Sequence, residues 1–169
     1  MTTLTSKLIV AMIADLTNAV DLGAGVFPLN LTKQIALANG TGLNQADRVW
    51  HDTRTIAASG TDDLDLSGIL TDVFGQVLTL ARVKALVLAA AAANTNAVVI
   101  GAAAANAWVG PFGAATHTSA ARPGGVNFWA APDATGYPVV AGTGDILRLA
   151  NGGGGTSVTL DIGIIGASA

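Results

Sequence analysis

Apolar and polar positions alternate along most of the chain and predict β-strands. The longest apolar run, Gly75 to Gly101, is broken once by Asn94-Thr95-Asn96, which predicts the central hairpin of a β-sheet. In its first half, one alternate set from Val77 to Val87 is apolar or small throughout, so we expect that set to face the core. The other set carries Arg82 and Lys84, whose charges we expect to reach solvent or a partner.

A helix from Leu78 to Ala93 is the main competing interpretation of this run, because its five consecutive alanines favour helix locally. The β-branched residues favour strands. No Asp, Glu, Lys or Arg occurs from Ala85 to Ala121, but the asparagines, Gly101 and Pro111 leave no uninterrupted apolar span of about twenty residues. The sequence therefore predicts no membrane-spanning segment.

The N-terminal segment has a different pattern. Between Thr5 and Val20, apolar residues recur at three- and four-residue spacing, which predicts an amphipathic helix packed on its own sheet or an arm laid on a partner. Without a basic start or a small-residue cleavage site, the segment is interpreted as mature sequence. We divide the chain into an arm or helix at 1–30 and a β-sandwich at 31–169. The predicted arm anchors are Leu8, Ile9, Met12 and Ile13.

Shorter alternating segments separated by glycine, proline and asparagine predict the remaining strands. They are Thr53 to Ser59, Asp63 to Leu66, Val126 to Ala131, an edge segment from Tyr137, Asp145 to Ala150 and Thr156 to Ile165. Together these segments predict one all-β sandwich or jelly-roll-like domain, with an N-terminal helix or extended arm.

Composition adds an expectation of assembly. Charged residues make up only 11% of the 169 residues, there are 21 glycines and no glutamate, and the net charge is -3. Such a surface is well suited to burial against neighbours, so we expect a homo-oligomer or a component of a larger assembly. No lysine- or arginine-rich run is present, which argues against nucleic acid as a partner. The absence of cysteine excludes disulfides and thiolate sites.

Candidate chemistry is sparse. His51 could form a base with Asp52 or Asp47 as its orienter, but adjacent strand residues point to opposite faces and no nucleophile accompanies them. Asp63 and Asp65 alternate with leucines and could offer oxygen ligands to calcium, yet the glycine and distal glutamate of a dedicated loop are missing. Ion pairs and a solvated strand face are the ordinary explanations. We expect no enzyme activity, no metal and no cofactor.

The chain from about Ala46 onward resembles a group of small structural proteins of tailed bacteriophages. The resemblance rests on ADRVWHDTRTIAASGTDDLDLSG, then ARVKALVL, NTNAVVIGAAAANAW, VGPFG, RPGG, APDATGY, VVAGTGDILRLAN and the closing TLDIGIIGAS. These motifs are structural and not catalytic. The first forty residues are not covered by the resemblance.

This resemblance implies a virion component, above all a capsid cement or decoration protein on the head surface, made in the bacterial host cytoplasm. Such proteins are β-rich and commonly trimeric, so the implied partners are further copies and the major capsid protein. Trp108 and Phe112 are predicted core or trimer contacts. A tail, baseplate or head-fibre component is the nearest alternative. In that role, aromatic residues such as Trp50, Trp129 or Tyr137 would stack on sugar rings.

Overall fold

The chain folds almost entirely into β-strands in the computed structural model, which describes residues 3–169. The strands are β1 (Ser6–Val20), β2 (Gly23–Asn39), β3 (Gln45–Ala46), β4 (Arg48–Ile56), β5 (Thr61–Asp65), β6 (Arg82–Ala90), β7 (Val98–Gly101), β8 (Thr118–Ala121), β9 (Val126–Ala130), β10 (Tyr137–Pro138), β11 (Ile146–Asn151) and β12 (Val158–Ala167). Within these described residues the helical structure is one 3₁₀ turn, Gly110–Phe112, and no helix could cross a membrane. The all-β prediction is confirmed.

Two antiparallel sheets pack face to face around one core. The first has the order β10-β6-β12-β4, with β9 also paired to β6, and the second has the order β5-β11-β7-β8. Their facing side chains form a single buried apolar cluster. The body is therefore a β-sandwich, as the sequence predicted. A third sheet, of order β1-β2-β3, contains the N-terminal strands.

Strand β12 shows why the alternating segments fold in this way. Val158, Leu160, Ile162 and Ile164 are all buried and belong to the core, while the residues between them point away from it. A side-chain period of two places every second residue on the same face of a sheet. The final strand was therefore readable from the sequence.

The predicted central hairpin is wrong. Both halves are strands, but β6 lies in the first sheet and β7 in the second, so the segment between them crosses the sandwich. Asn94 lies in this crossing: its Nδ2 donates to the carbonyl oxygen of Thr159 at 2.8 Å, and its Oδ1 accepts from the Thr159 N–H at 2.8 Å. The paired amide anchors the crossing to β12. A turn-forming residue thus fixes a connection between sheets instead of a hairpin loop.

The predicted faces of β6 are reversed from Lys84 onward, whereas Val83 belongs to the core as predicted. Leu86, Leu88 and Lys84 are fully buried, whereas Val87 on the other face is 39% exposed. The Lys84 side chain runs inward and its Nζ donates to the carbonyl oxygens of Gly42, at 3.2 Å, and Asp133. A buried ammonium needs such partners, because an unpaired charge inside a protein is costly. Lys84 therefore joins the segment after β2 to the turn before β10.

We expect the burial of Lys84 to make stability depend on pH in the alkaline range. Burial lowers the pKa of Lys84, nearby Arg82 lowers it further, and Asp133 opposes them. Between this lowered pKa and the unfolded value near 10.5, the unfolded chain binds more protons, so the free energy of unfolding rises with pH. The slope for one group is at most about 1.4 kcal/mol per pH unit.

Chemical denaturation of the wild type and of Lys84→Met, between pH 7 and pH 10, measures this effect. The difference in unfolding free energy should shift in favour of the wild type as the pH rises. The raised pKa of Tyr137, caused by its burial, acts in both proteins and cancels in the difference. A difference that stays flat across the range would contradict the role assigned to the amine.

The predicted N-terminal helix is wrong. Residues Ser6–Val20 and Gly23–Asn39 form a long antiparallel hairpin, with pairing continuous from Ser6 opposite Leu37 to Val20 opposite Gly23. The boundary expected at residue 30 lies inside β2. Apolar residues are almost continuous from Lys7 to Val20, so the sequence fits the helical period of 3.6 residues and the strand period of two about equally well. The three- and four-residue spacing was therefore a consequence of high apolar content.

Candidate interaction surface

The N-terminal hairpin is the most exposed element of the chain. Every residue from Ile9 to Gln34 is exposed to solvent, although many are large and apolar. At about 3.3 Å per residue, the fifteen residues of β1 extend about 50 Å. The turn at its tip contains only Asp21 and Leu22, and Leu22 is 100% exposed.

One face of the hairpin is almost entirely apolar. Residues directly opposite one another in an antiparallel pair lie on the same face, so the register identifies the members of each face. The apolar face, as we call it, consists of Leu8, Val10, Met12, Ala14 and Leu16 from β1 and Phe27, Leu29, Leu31, Lys33 and Ile35 from β2. Lys33 is its single charge. Leu16 and Phe27, which face each other across the two strands, are 72% and 74% exposed.

The opposite face is mixed, and it separates the four predicted anchors. Leu8 and Met12 lie on the apolar face, whereas Ile9 and Ile13 lie on the other, opposite Gln34 and Asn30. A helix would have placed all four on one side. The apolar surface that the structure presents is therefore a different set of residues from the predicted one.

The base of the hairpin is attached to the sandwich. Leu37 is buried, and Leu8 is half-buried against the outer face of the first sheet, where it lines a cavity of about 150 Å³ with Val87 and Phe128. Ala85 also lines this cavity and is 3% exposed although it points away from the core. The apolar face thus continues onto the outer surface of the body.

Hydrogen bonds fix this attachment. Asn39 Oδ1 accepts from the Leu4 N–H at 2.9 Å, which ties the start of the chain to the end of β2. Strand β2 then pairs in parallel with β3, and the Asn44 N–H donates to the carbonyl oxygen of Pro132 at 2.8 Å. With the Lys84 contacts, these bonds hold the hairpin base against the body, while the residues from Ile9 to Gln34 are exposed.

Trp108 and Phe112 lie in and beside the core. Trp108 is 2% exposed, and its Nε1–H donates to the carbonyl oxygen of Pro138 at 2.9 Å. Phe112 packs edge-on against it, with ring centroids 6.2 Å apart, and Tyr137 does the same at 6.3 Å. Phe112 and Trp108 are thus brought together, but Trp108 offers no surface to a partner.

The aromatic residues considered for sugar binding point inward. Trp50 is 7% exposed and has the Arg54 guanidinium over its ring, 5.8 Å from the centroid. Trp129 is half-buried and meets Phe112 edge-on at 5.7 Å. Tyr137 is likewise half-buried. Trp50 is thus covered, and Trp129 and Tyr137 are partly covered by contacts with other aromatic rings.

The polar cluster of β4 forms ion pairs. Arg54 contacts Asp52 at 3.1 Å and Asp62 at 3.0 Å, beside a cavity of about 500 Å³ at the open edge of the strand. His51 points to the opposite face from Asp52, since their partners on β12 are an outward glycine and a buried isoleucine. The two residues are therefore not arranged as a base and its orienter.

The two carboxylates considered as possible calcium ligands are engaged by other side chains. Asp63 accepts two hydrogen bonds from Arg148, each 2.7 Å long, and this pairing lowers the pKa of the Asp63 carboxyl. Asp65 accepts from the Ser67 N–H and hydroxyl. Within residues 3–169 there is no group of three or more histidine, aspartate or glutamate side chains placed to hold a metal ion.

Sequence reasoning missed the β2 half of the apolar face. Its signal was present: Phe27, Leu29, Leu31 and Ile35 fall at even intervals in FPLNLTKQI, with polar residues or proline at most positions between them. Strict period-two alternation indicates a strand with one apolar face.

Compared with known proteins, the chain matches no family model and no curated sequence.

Proposed function

We propose that this protein is a structural component of a tailed-phage virion, a cement or decoration protein that stabilises the head by binding across capsid subunits. The resemblance of the segments after Ala46 to small phage structural proteins supports the proposal. Under it, the protein acts mechanically and binds a surface that exists only in the assembled shell.

The observation that carries the proposal is the exposed apolar face of the hairpin. Monomeric proteins rarely expose large contiguous apolar patches, and such patches mark interaction sites. An isolated two-stranded hairpin is also marginally stable in water, so a ribbon about 50 Å long is expected to need support from a partner.

The strand order of the body gives further support. One sheet contains β4-β12-β6-β9 and the other β5-β11-β7-β8. Leaving out β10, each strand from β4 to β12 is followed by a strand of the other sheet, except that β7 is followed by its own neighbour β8, as in two Greek keys. We interpret this eight-stranded order as a jelly roll, with the short β10 as an addition. Jelly rolls occur in viral capsid proteins and in lectins.

We assign the capsid contact to the hairpin because of its exposed apolar face, and we assign to the body the contacts between copies in the homotrimer that the resemblance implies. Many such contacts across a shell would act together, because binding at one point raises the effective concentration at the next. Neither nucleic acid nor membrane is a partner in this proposal.

Co-sedimentation tests the proposal. The purified protein is mixed with expanded empty capsids of the matching phage and with unexpanded shells, and the bound copies per particle are counted over a concentration series. We expect saturable binding at high copy number to the expanded shells. A stable protein that leaves both kinds of shell bare would contradict the cement function and favour a tail or fibre component.

A further inference from the structure

One edge of the hairpin carries a long row of unpaired backbone groups. Strand β1 is the outermost strand of its sheet, and within residues 3–169 no strand pairs with its outer edge along Ser6–Val20. Proteins usually protect such edges with proline, bulges, frequent charges or short length. This edge has fifteen residues, no proline, and only Lys7 and Asp15 as charges.

The other edge of the hairpin is protected. A two-residue turn makes Val20 and Gly23 a hydrogen-bonded pair, so the odd-numbered residues of β1 and their partners direct their backbone groups outward. Pro28 lies opposite Asp15 and therefore at an outward position of β2, where it provides no N–H. Strand β1 is the edge at which a further strand can be added.

The two charges on β1 are self-complementary. Lys7 and Asp15 are on the same face of the ribbon, and among residues 3–169 neither has an oppositely charged group within ion-pair distance. If a second copy is paired antiparallel about a twofold axis at Ala11, each Lys7 lies opposite an Asp15. In the same register Ile9 lies opposite Ile13, and Val10 opposite Met12.

This register also satisfies the backbone. Ala11, like Lys7 and Asp15, is odd-numbered, so its N–H and C=O point outward and meet the equivalent groups of the second copy. Each outward group between Lys7 and Asp15 then acquires a partner. In this one register, the outward backbone groups, the apolar side chains and the opposite charges of the two copies all find partners.

We infer that β1 binds β1 of a second copy edge to edge, antiparallel about Ala11, and so joins two hairpins into one four-stranded ribbon. Three or more strands with an apolar face are what independent stability of a sheet requires. The two apolar faces lie on the same side of this ribbon and form one surface twice as wide. The contact goes beyond the proposed capsid binding and does not depend on it.

Charge exchange tests the inference in solution, without capsids. Lys7→Asp and Asp15→Lys each place like charges opposite one another at two points, and each should weaken self-association about 10- to 30-fold. The double variant Lys7→Asp/Asp15→Lys restores opposite charges and should return association to within about threefold of the wild type. Sedimentation velocity over a concentration series measures the dissociation constants, and circular dichroism checks the fold.

Each outcome is decisive for the register. Restoration by the double variant requires that residue 7 meets residue 15 of another copy, which contact with a capsid or with the body of a second copy would not produce. Single variants that associate like the wild type, or a double variant that stays weak, would overturn the inference. So would a wild type that is monomeric throughout the concentration series.

Cysteine pairing provides an independent measurement, because the chain has no cysteine of its own. In the variant Val10→Cys/Met12→Cys, the thiol at position 10 of each copy lies opposite the thiol at position 12 of the other copy. Both belong to a non-hydrogen-bonded pair, in which opposite residues are closely spaced. Oxidation should give a covalent dimer on a denaturing gel. Val10→Cys alone puts the thiols on a diagonal about 7 Å apart or more and should remain uncrosslinked. Equal crosslinking of the two variants would contradict the register.

Discussion

Replacing Leu16 with Asp and Phe27 with Lys is expected to eliminate binding to expanded capsids while the protein remains folded. These residues face each other at the end of the apolar face nearest the hairpin tip, where its large side chains are most exposed. Burial of two such side chains contributes about 3–6 kcal/mol, so their loss should weaken binding by at least about 100-fold. The new charges lie opposite one another and support the hairpin through a cross-strand ion pair.

A matched control lies one position along the hairpin. Thr17 and Val26 face each other on the opposite face, and Thr17→Asp/Val26→Lys introduces the same two charges without changing the net charge. We expect this variant to bind within about fivefold of the wild type in the co-sedimentation assay. If both variants lose binding equally, the hairpin as a whole matters but the apolar face is not the contact. If neither does, the contact lies elsewhere.

The strands of the body could be predicted because their burial is one-sided. In β11, the buried Leu147 and Leu149 alternate with Ile146 and Arg148, and the sequence shows the same alternation directly. A period of two is a local property, so a short window is sufficient to detect it. The boundaries of β9, β11 and β12 consequently fall within one or two residues of those expected.

Pairing between strands could not be predicted in the same way. The Asn-Thr-Asn segment after β6 has the composition of a hairpin turn, but Asn94 bonds to Thr159 on a strand more than sixty residues later. The burial of Lys84 depends similarly on carbonyl oxygens from Gly42 and Asp133. Both features rest on groups distant in sequence, which a local pattern does not contain.

The hairpin was misassigned for a further physical reason. Both strands are rich in apolar residues, and sequence patterns assign apolar residues to the core. The predicted helix would have packed its apolar side against the sheet. In the structure the residues from Ile9 to Gln34 remain exposed instead. The surface that would cover these residues belongs to a partner, and the sequence of this chain alone contains no information about that partner.

Trp108→Ala is expected to lower the free energy of unfolding by about 3–5 kcal/mol, because it removes the largest fully buried side chain from the core. Phe112 and Tyr137 both pack edge-on against this ring, so the cavity would be bordered by aromatic residues that cannot close it without moving. Urea denaturation monitored by circular dichroism measures the change. A loss below about 1 kcal/mol would show that neighbouring residues refill the site.

Trp108→Phe distinguishes the contribution of ring packing from that of the Trp108 hydrogen bond. It keeps much of the packing but leaves the Pro138 carbonyl oxygen without its donor, which should cost about 1–3 kcal/mol. At temperatures where both Trp108 variants are folded, we expect them to bind expanded capsids like the wild type, since this residue lies in the core and not on the apolar face. The Leu16→Asp/Phe27→Lys variant should show the reverse behaviour, with a stable body and no binding. Together the variants distinguish a contact made by the hairpin from an indirect effect of the fold, because a loss of binding that followed stability alone would affect the Trp108 variants first.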